Sequence, residues 1–260
     1  MRIDTGAYLG HWPFRKVVNN TAATLAPIAL KNDITHMIVA SINALFYKDT
    51  MEGNLELLED VKSYNGPLEY IPFAVINPTY PEWENDMKKC INELGFKGVE
   101  LAPAYHKYPL AGAEGVAAFK LAGELGVPVR VENEFENIRQ HHWMDVTDAP
   151  SGDDFAVLLN ACDKTPLFIN GYYPTYLDDR FGDIVKNRKN VFVGTRRLDP
   201  FTLNAWENTL EFMDVSHLCL ASLSPFSYIE PSLVSIQFAP NTDDEKEGIL
   251  YKNVRSCLGL

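Results

Sequence analysis

Ile3-Asp4-Thr5-Gly6-Ala7-Tyr8-Leu9-Gly10-His11-Trp12-Pro13 is the stretch on which the fold turns. Its first half is an apolar, strand-like run, and the turn that follows contains no GxGxxG. An open dinucleotide-binding sheet would place that glycine-rich turn directly after its first strand, because the backbone there must approach a pyrophosphate closely. Working outward, eight runs rich in β-branched and aromatic residues recur along the chain: Arg2 to Tyr8, Ile34 to Ile42, Glu69 to Asn77, Gly98 to Pro103, Pro128 to Glu134, Pro166 to Tyr172, Asn190 to Arg196 and His217 to Ser224. Several are apolar at consecutive positions, as in Met37-Ile38-Val39-Ala40, which suits strands covered on both faces in a parallel sheet.

Between the runs lie stretches with helical spacing, including Asn54 to Ser63, Pro81 to Leu94 and Ala113 to Leu125. Gly95 and Gly126 stand where helices stop, and Pro128 precedes a strand, as expected of a helix-to-strand loop. Eight strands alternating with helices in 260 residues fit a (β/α)8 TIM barrel, a fold that commonly needs about 250 residues, better than an open doubly wound sheet. No linker-like or low-complexity segment divides the chain, so residues 1–260 read as one domain. In a barrel the site lies at the C-terminal ends of the strands, and polar residues ending each run are the candidates.

The formal charge of -12 argues against a nucleic-acid partner, which needs a concentrated basic stripe, and points to a small-molecule ligand. No secretion signal opens the sequence and no window approaches the roughly 18 apolar residues of a membrane span, so a cytoplasmic protein with no membrane partner is expected. Homo-oligomerisation stays open. Cys90, Cys162, Cys219 and Cys257 form no CxxC or Cys-His cluster and read as free thiols.

The opening Ile3 to Gly10 resembles the first strand of the amidohydrolase-related metal-dependent hydrolases, where Asp-x-His-x-His-x-Gly supplies two metal-binding histidines. Gly95-Phe96-Lys97-Gly98-Val99-Glu100-Leu101, with Pro103 and Tyr108, is similar to that family's fourth strand and loop. Ala221-Ser222-Leu223-Ser224-Pro225-Phe226 is similar to its eighth-strand Gly-Thr-Asp-x-Pro-Phe, and Asn253 to Leu260 to its closing helix. The resemblance spans essentially the whole chain and implies a TIM barrel with a divalent metal that activates water. It also places Gly6 and Tyr8 where the two histidines belong, Glu132 and Asn170 near the ligand positions of the fifth and sixth strands, and Leu223 at the eighth-strand aspartate. Glycine offers a metal no lone pair, and leucine does no acid-base chemistry. A barrel that has lost its metal centre is the resulting expectation, with no cofactor and zinc as the alternative.

Residues able to carry chemistry remain. Glu132 and Glu134 share a face if the fifth strand runs through both, and with His141 they would form an acid-base pair or a rebuilt metal site. Arg196 and Arg197, with Asp199, end the seventh run; an arginine there either clamps a carboxylate or phosphate or neutralises Glu132 or Glu134 across the mouth. The plainer reading is that the carboxylates pair with arginines and the histidines cover the rim. Tyr8, Trp12, Tyr105, Asn170, Tyr172 and Ser222 would line a site for a small organic ligand, or fill a plugged mouth. His36 and His217 belong to the opposite face. GxSxG and Walker A sequences are absent. Three functions stay open. One is a degenerate amidohydrolase-like barrel binding a small polar or anionic molecule. Another is a repurposed hydrolase or lyase using Glu132, Glu134, His141 and Arg196, with or without a rebuilt metal. The third is a working metal hydrolase whose ligands stand at other positions than those the resemblance assigns.

Overall fold

The apolar runs become eight parallel strands: β1 (Ile3–Leu9), β2 (His36–Ser41), β3 (Glu69–Ile76), β4 (Gly98–Leu101), β5 (Val129–Glu132), β6 (Leu167–Asn170), β7 (Val191–Gly194) and β8 (Leu218–Cys219). They pair in sequence order, with helices on the connections, in a computed structural model that describes residues 1–137, 139–146, 148–172, 179–198 and 204–260. The barrel closes where the N–H of Thr5 donates to Leu220 O and that of Tyr8 to Ser224 O, each at 2.8 Å. Among the described residues no helix is long and apolar enough to cross a membrane.

Consecutive apolar residues are explained by two buried layers. Met37, Val39, Ala74, Val99, Val131 and Val193 face the helices, whereas Ile38, Ala40, Ile71, Phe73, Phe168 and Phe192 face the barrel interior. Gly95 and Gly126 adopt positive φ of 87° and 72° just beyond helices, as their positions predict, because a side chain would be strained there. A register slip between Asp4 and Ala7 lets both Thr5 and Tyr8, three residues apart, turn inward.

Two runs differ from expectation. β8 ends at Cys219 instead of Ser224, because Ser222 and Asp4 take over from the ladder: Asp4 Oδ1 accepts from the N–H groups of Gly6 and Ser222 at 3.0 Å, and Oδ2 accepts from Ser222 Oγ at 2.5 Å. β5 ends at Glu132, so strand alternation does not extend to Glu134. His36 and His217 lie at the N-terminal ends of strands, as expected, bonded to Glu69 and to Val191 O respectively.

Polar charge sits in the middle of this apolar barrel. β4 and β5 pair Glu100 with Arg130, and both side chains are fully buried. Arg130 Nε donates to Glu100 Oε2 at 2.5 Å, Nη1 to Thr5 O at 2.8 Å and to Ile38 O at 3.3 Å, and Nη2 to Ala7 O at 3.3 Å. The guanidinium also lies 4.4 Å from the Tyr8 ring centroid, while Tyr8 Oη donates to the other Glu100 oxygen at 2.8 Å. A charge removed from water is tolerable only when its partners are this complete. Arg130→Met is therefore expected to cost about 3–5 kcal/mol in urea unfolding by stranding Glu100, and Glu100→Met in the same chain to recover most of it. A single variant as stable as the parent would show that the pair does not hold the barrel.

Candidate functional site at the barrel mouth

At the C-terminal ends of the strands the chain builds a lid of rings. Trp12, only 1% exposed, is packed by Phe14 and four rings from other loops: Phe46 (centroids 5.4 Å apart), Tyr105 (6.3 Å), Phe135 (5.6 Å, stacked) and Phe226 (4.8 Å). Phe135 also meets Tyr8 edge-on at 4.7 Å, which joins the lid to the Glu100–Arg130 pair below. The segment after β5 crosses this lid and is fastened three times. Glu136 pairs with Arg15, the His142 ring stacks on Phe14 at 5.3 Å, and Asp145 Oδ1 accepts from Tyr105 Oη at 3.0 Å.

Beneath the crossing segment lie the carboxylates and arginines. Arg196 Nη1 stands 3.2 Å from Glu132 Oε1 and donates to Glu134 O at 2.5 Å; Arg197 pairs with the Glu134 carboxylate. Both arginines thus stand against the glutamates. Burial pushes the Glu132 carboxyl up to about 7, against the pull of Arg196 and Arg130. The group is neutral below that midpoint and charged above it.

Three buried oxygens on successive strand ends have no hydrogen-bond partner: Glu132 Oε2, Asn170 Oδ1 and Thr195 Oγ1. Glu132 and Asn170 are register partners on β5 and β6, and Thr195 follows β7 directly. Asn170 Nδ2 donates to Thr5 O at 3.2 Å, which fixes the amide and leaves its oxygen without a donor.

Not every sequence candidate arrives here. Tyr8, Trp12, Tyr105, Glu132, Asn170 and Arg196 gather at the mouth, and Glu134 joins them from the loop, held by Arg197. Ser222 is engaged with Asp4 and Ser224 in the closing seam. Tyr172 packs against Phe155 and Phe181 in the helix-facing layer. His141 lies half-buried in the crossing segment, within electrostatic reach of Asp145. Asp199 lies outside the described residues. The sequence pattern does not single out Arg130, Phe46, Phe135, Phe226 or Thr195. A usable signal existed for one: Arg130 stands inside Val129-Arg130-Val131, and a charge within a run buried on both faces demands a partner.

The positions of the resemblance's metal ligands can now be inspected. A Cβ on Gly6 would come within 3.1 Å of both Asn170 Nδ2 and Ala221 Cβ, so the place of the first histidine is tightly hemmed in. Tyr8 is bonded to Glu100, and Leu223 is buried at a φ of 61°. Among the described residues no three His, Cys, Asp or Glu side chains converge as a metal-holding group.

Neither a protein-family model nor a curated protein matches the chain. Solved structures do. A proposed amidohydrolase of Staphylococcus aureus superposes with a TM-score of 0.76 at 18% identity, covering 100% of this chain and 99% of that one. A 2,6-dihydroxybenzoate decarboxylase from Rhizobium gives 0.74 at 12%, over 99% and 98% of the two chains. A dihydroxybenzoic acid decarboxylase from Polaromonas sp. JS666, with bound manganese and 2-nitroresorcinol, gives 0.74 at 13%, over 100% and 97%. At these identities the likeness is one of fold.

A carbon-13 titration of protein labelled at glutamate carboxyls should show a resonance, lost in Glu132→Gln, with a midpoint of about 7. A Glu132 midpoint below about 5 would mean that the carboxyl is better solvated or better paired than its burial implies.

Proposed function

We propose that this chain, built on the barrel of the amidohydrolase and decarboxylase structures, binds a small polar or anionic molecule at its mouth and does so without a divalent metal. The observation that carries the reading is the Arg130 guanidinium. It rests on the ring of Tyr8, the residue in the place of the second metal-binding histidine, and a full set of acceptors holds it there. A divalent cation beside it would meet a fixed positive charge, a glycine without space for a ligand and a leucine in place of the carboxylate. The residues do not fit the metal.

The ligand-binding half of the proposal is supported by the three unpartnered oxygens, since buried polar atoms are nearly always satisfied by protein, water or ligand. The aromatic lid would shield such a molecule from solvent and leave a few polar groups to orient it, the usual composition of a small-molecule site.

Glu132 favours a second reading, a repurposed hydrolase or lyase. A carboxyl that titrates near 7 serves as proton donor or acceptor at neutral pH, and Arg196 fixes one of its oxygens while the other points free. In a decarboxylation, for example, the carbon that loses carbon dioxide must receive a proton, which a neutral Glu132 would deliver. Glu134, His141 and Arg196 would then orient the substrate and the carboxyl.

Elemental analysis of the purified chain, after chelator treatment and again after incubation with excess zinc or manganese and gel filtration, tests the metal-free reading. Well under one equivalent of metal per chain is expected in both samples. Near-equimolar metal that survives filtration would overturn it and restore a metal hydrolase or decarboxylase.

A further inference from the structure

Three acceptors without donors, set among charges that already cancel, define what the mouth lacks. Among the described residues, the carboxylates beneath the crossing segment are Glu100, Glu132 and Glu134, and when ionised they are matched by Arg130, Arg196 and Arg197. An anionic ligand would have to displace a glutamate from an arginine inside a buried site, and a cation would leave one positive charge in excess there. Either costs a desolvated charge its partner. Of the unpartnered atoms nearby, three oxygens call for donors and Trp12 Nε1, in the lid, calls for an acceptor; a hydroxyl group supplies both. Asn170 Oδ1 is an acceptor only, Glu132 Oε2 accepts when its carboxyl is charged, and the Thr195 hydroxyl accepts as readily as it donates.

We infer that the ligand at this mouth is a small uncharged molecule carrying several hydroxyl groups, which donate to Glu132, Asn170 and Thr195 from beneath the crossing segment. The inference rests on the metal-free, ligand-binding reading and narrows its ligand class from polar or anionic to neutral and donor-rich. One glycine supports it: a Cβ on Gly194 would collide with Asn170 Oδ1, so the backbone beside that acceptor carries no side chain that would cover or satisfy it. Polyols present donors on adjacent carbons and need no counter-charge. The segment fastened by Arg15–Glu136, Phe14–His142 and Tyr105–Asp145 would lie over the bound molecule.

Titration calorimetry on the full chain at pH 8 tests this with the neutral polyols from glycerol to sorbitol, and with benzoate and ethanolamine as the anionic and cationic arms. At least one polyol should bind with one-to-one stoichiometry, and neither charged probe should. Thr195→Val keeps the side-chain shape and removes a buried hydroxyl that has no partner, so it should fold as stably as the parent. Its polyol affinity should fall about fivefold, the equivalent of one hydrogen bond. Failure of every polyol, or unchanged polyol affinity in Thr195→Val, would overturn the inference. Benzoate or ethanolamine binding in place of a polyol would overturn it too, yet spare the broader reading of a metal-free ligand site. Stoichiometric metal in the same preparation would count against that broader reading itself.

Discussion

The Glu100–Arg130 pair is the constraint around which the barrel is arranged. A guanidinium at the centre of an apolar cylinder can be tolerated only if nearly every donor is engaged, and its acceptors come from β1, β2 and its pairing strand β4. The register slip in β1 belongs to the same arrangement, because Thr5 and Ala7 must both offer carbonyls while Tyr8 turns inward over the charge. The pair thus fixes the register of four strands at once. A hydrophobic replacement would supply packing without that directional demand.

Above this pair the mouth has two tiers with opposite chemistry. The lower tier pairs Glu132 and Glu134 with two consecutive arginines, so in a protein carrying a net charge of -12 these two carboxyl groups face two guanidinium groups. The upper tier is aromatic and excludes water, which strengthens every polar interaction beneath it. Phe135 links the tiers: Glu134, its neighbour in sequence, gives a carbonyl to Arg196, while its own ring touches Tyr8 and Trp12.

Much of this architecture is legible in the sequence, for a physical reason. Strands covered on both faces must be apolar at consecutive positions, and glycines must follow helices where the backbone turns left-handed, so the eight strands and the stops at Gly95 and Gly126 stand out. The glycine at position 6 and the leucine at position 223 are equally visible, standing where the resemblance would put a histidine and an aspartate. What could not be read is direction beyond the strand ends. Glu134 leaves the alternation because β5 stops two residues earlier, Tyr172 turns toward the helices after Gly171 takes a positive φ of 68°, and Ser222 is drawn to Asp4, more than two hundred positions away. The clustering about Trp12 depends on separate loops meeting in space, and no local pattern encodes that.

The same clustering has a consequence for how the chain is made. The rings around Trp12 come from residues 14, 46, 105, 135 and 226, so the lid draws on nearly the full length of the polypeptide. Contacts of such high sequence separation form late, after the loops that join them have been closed. During synthesis Trp12 must wait for Phe226, more than two hundred residues later, so its ring stays an exposed apolar surface until that partner has been made. Chaperone protection would matter most in that interval, and the completed lid certifies that the whole chain has found its topology.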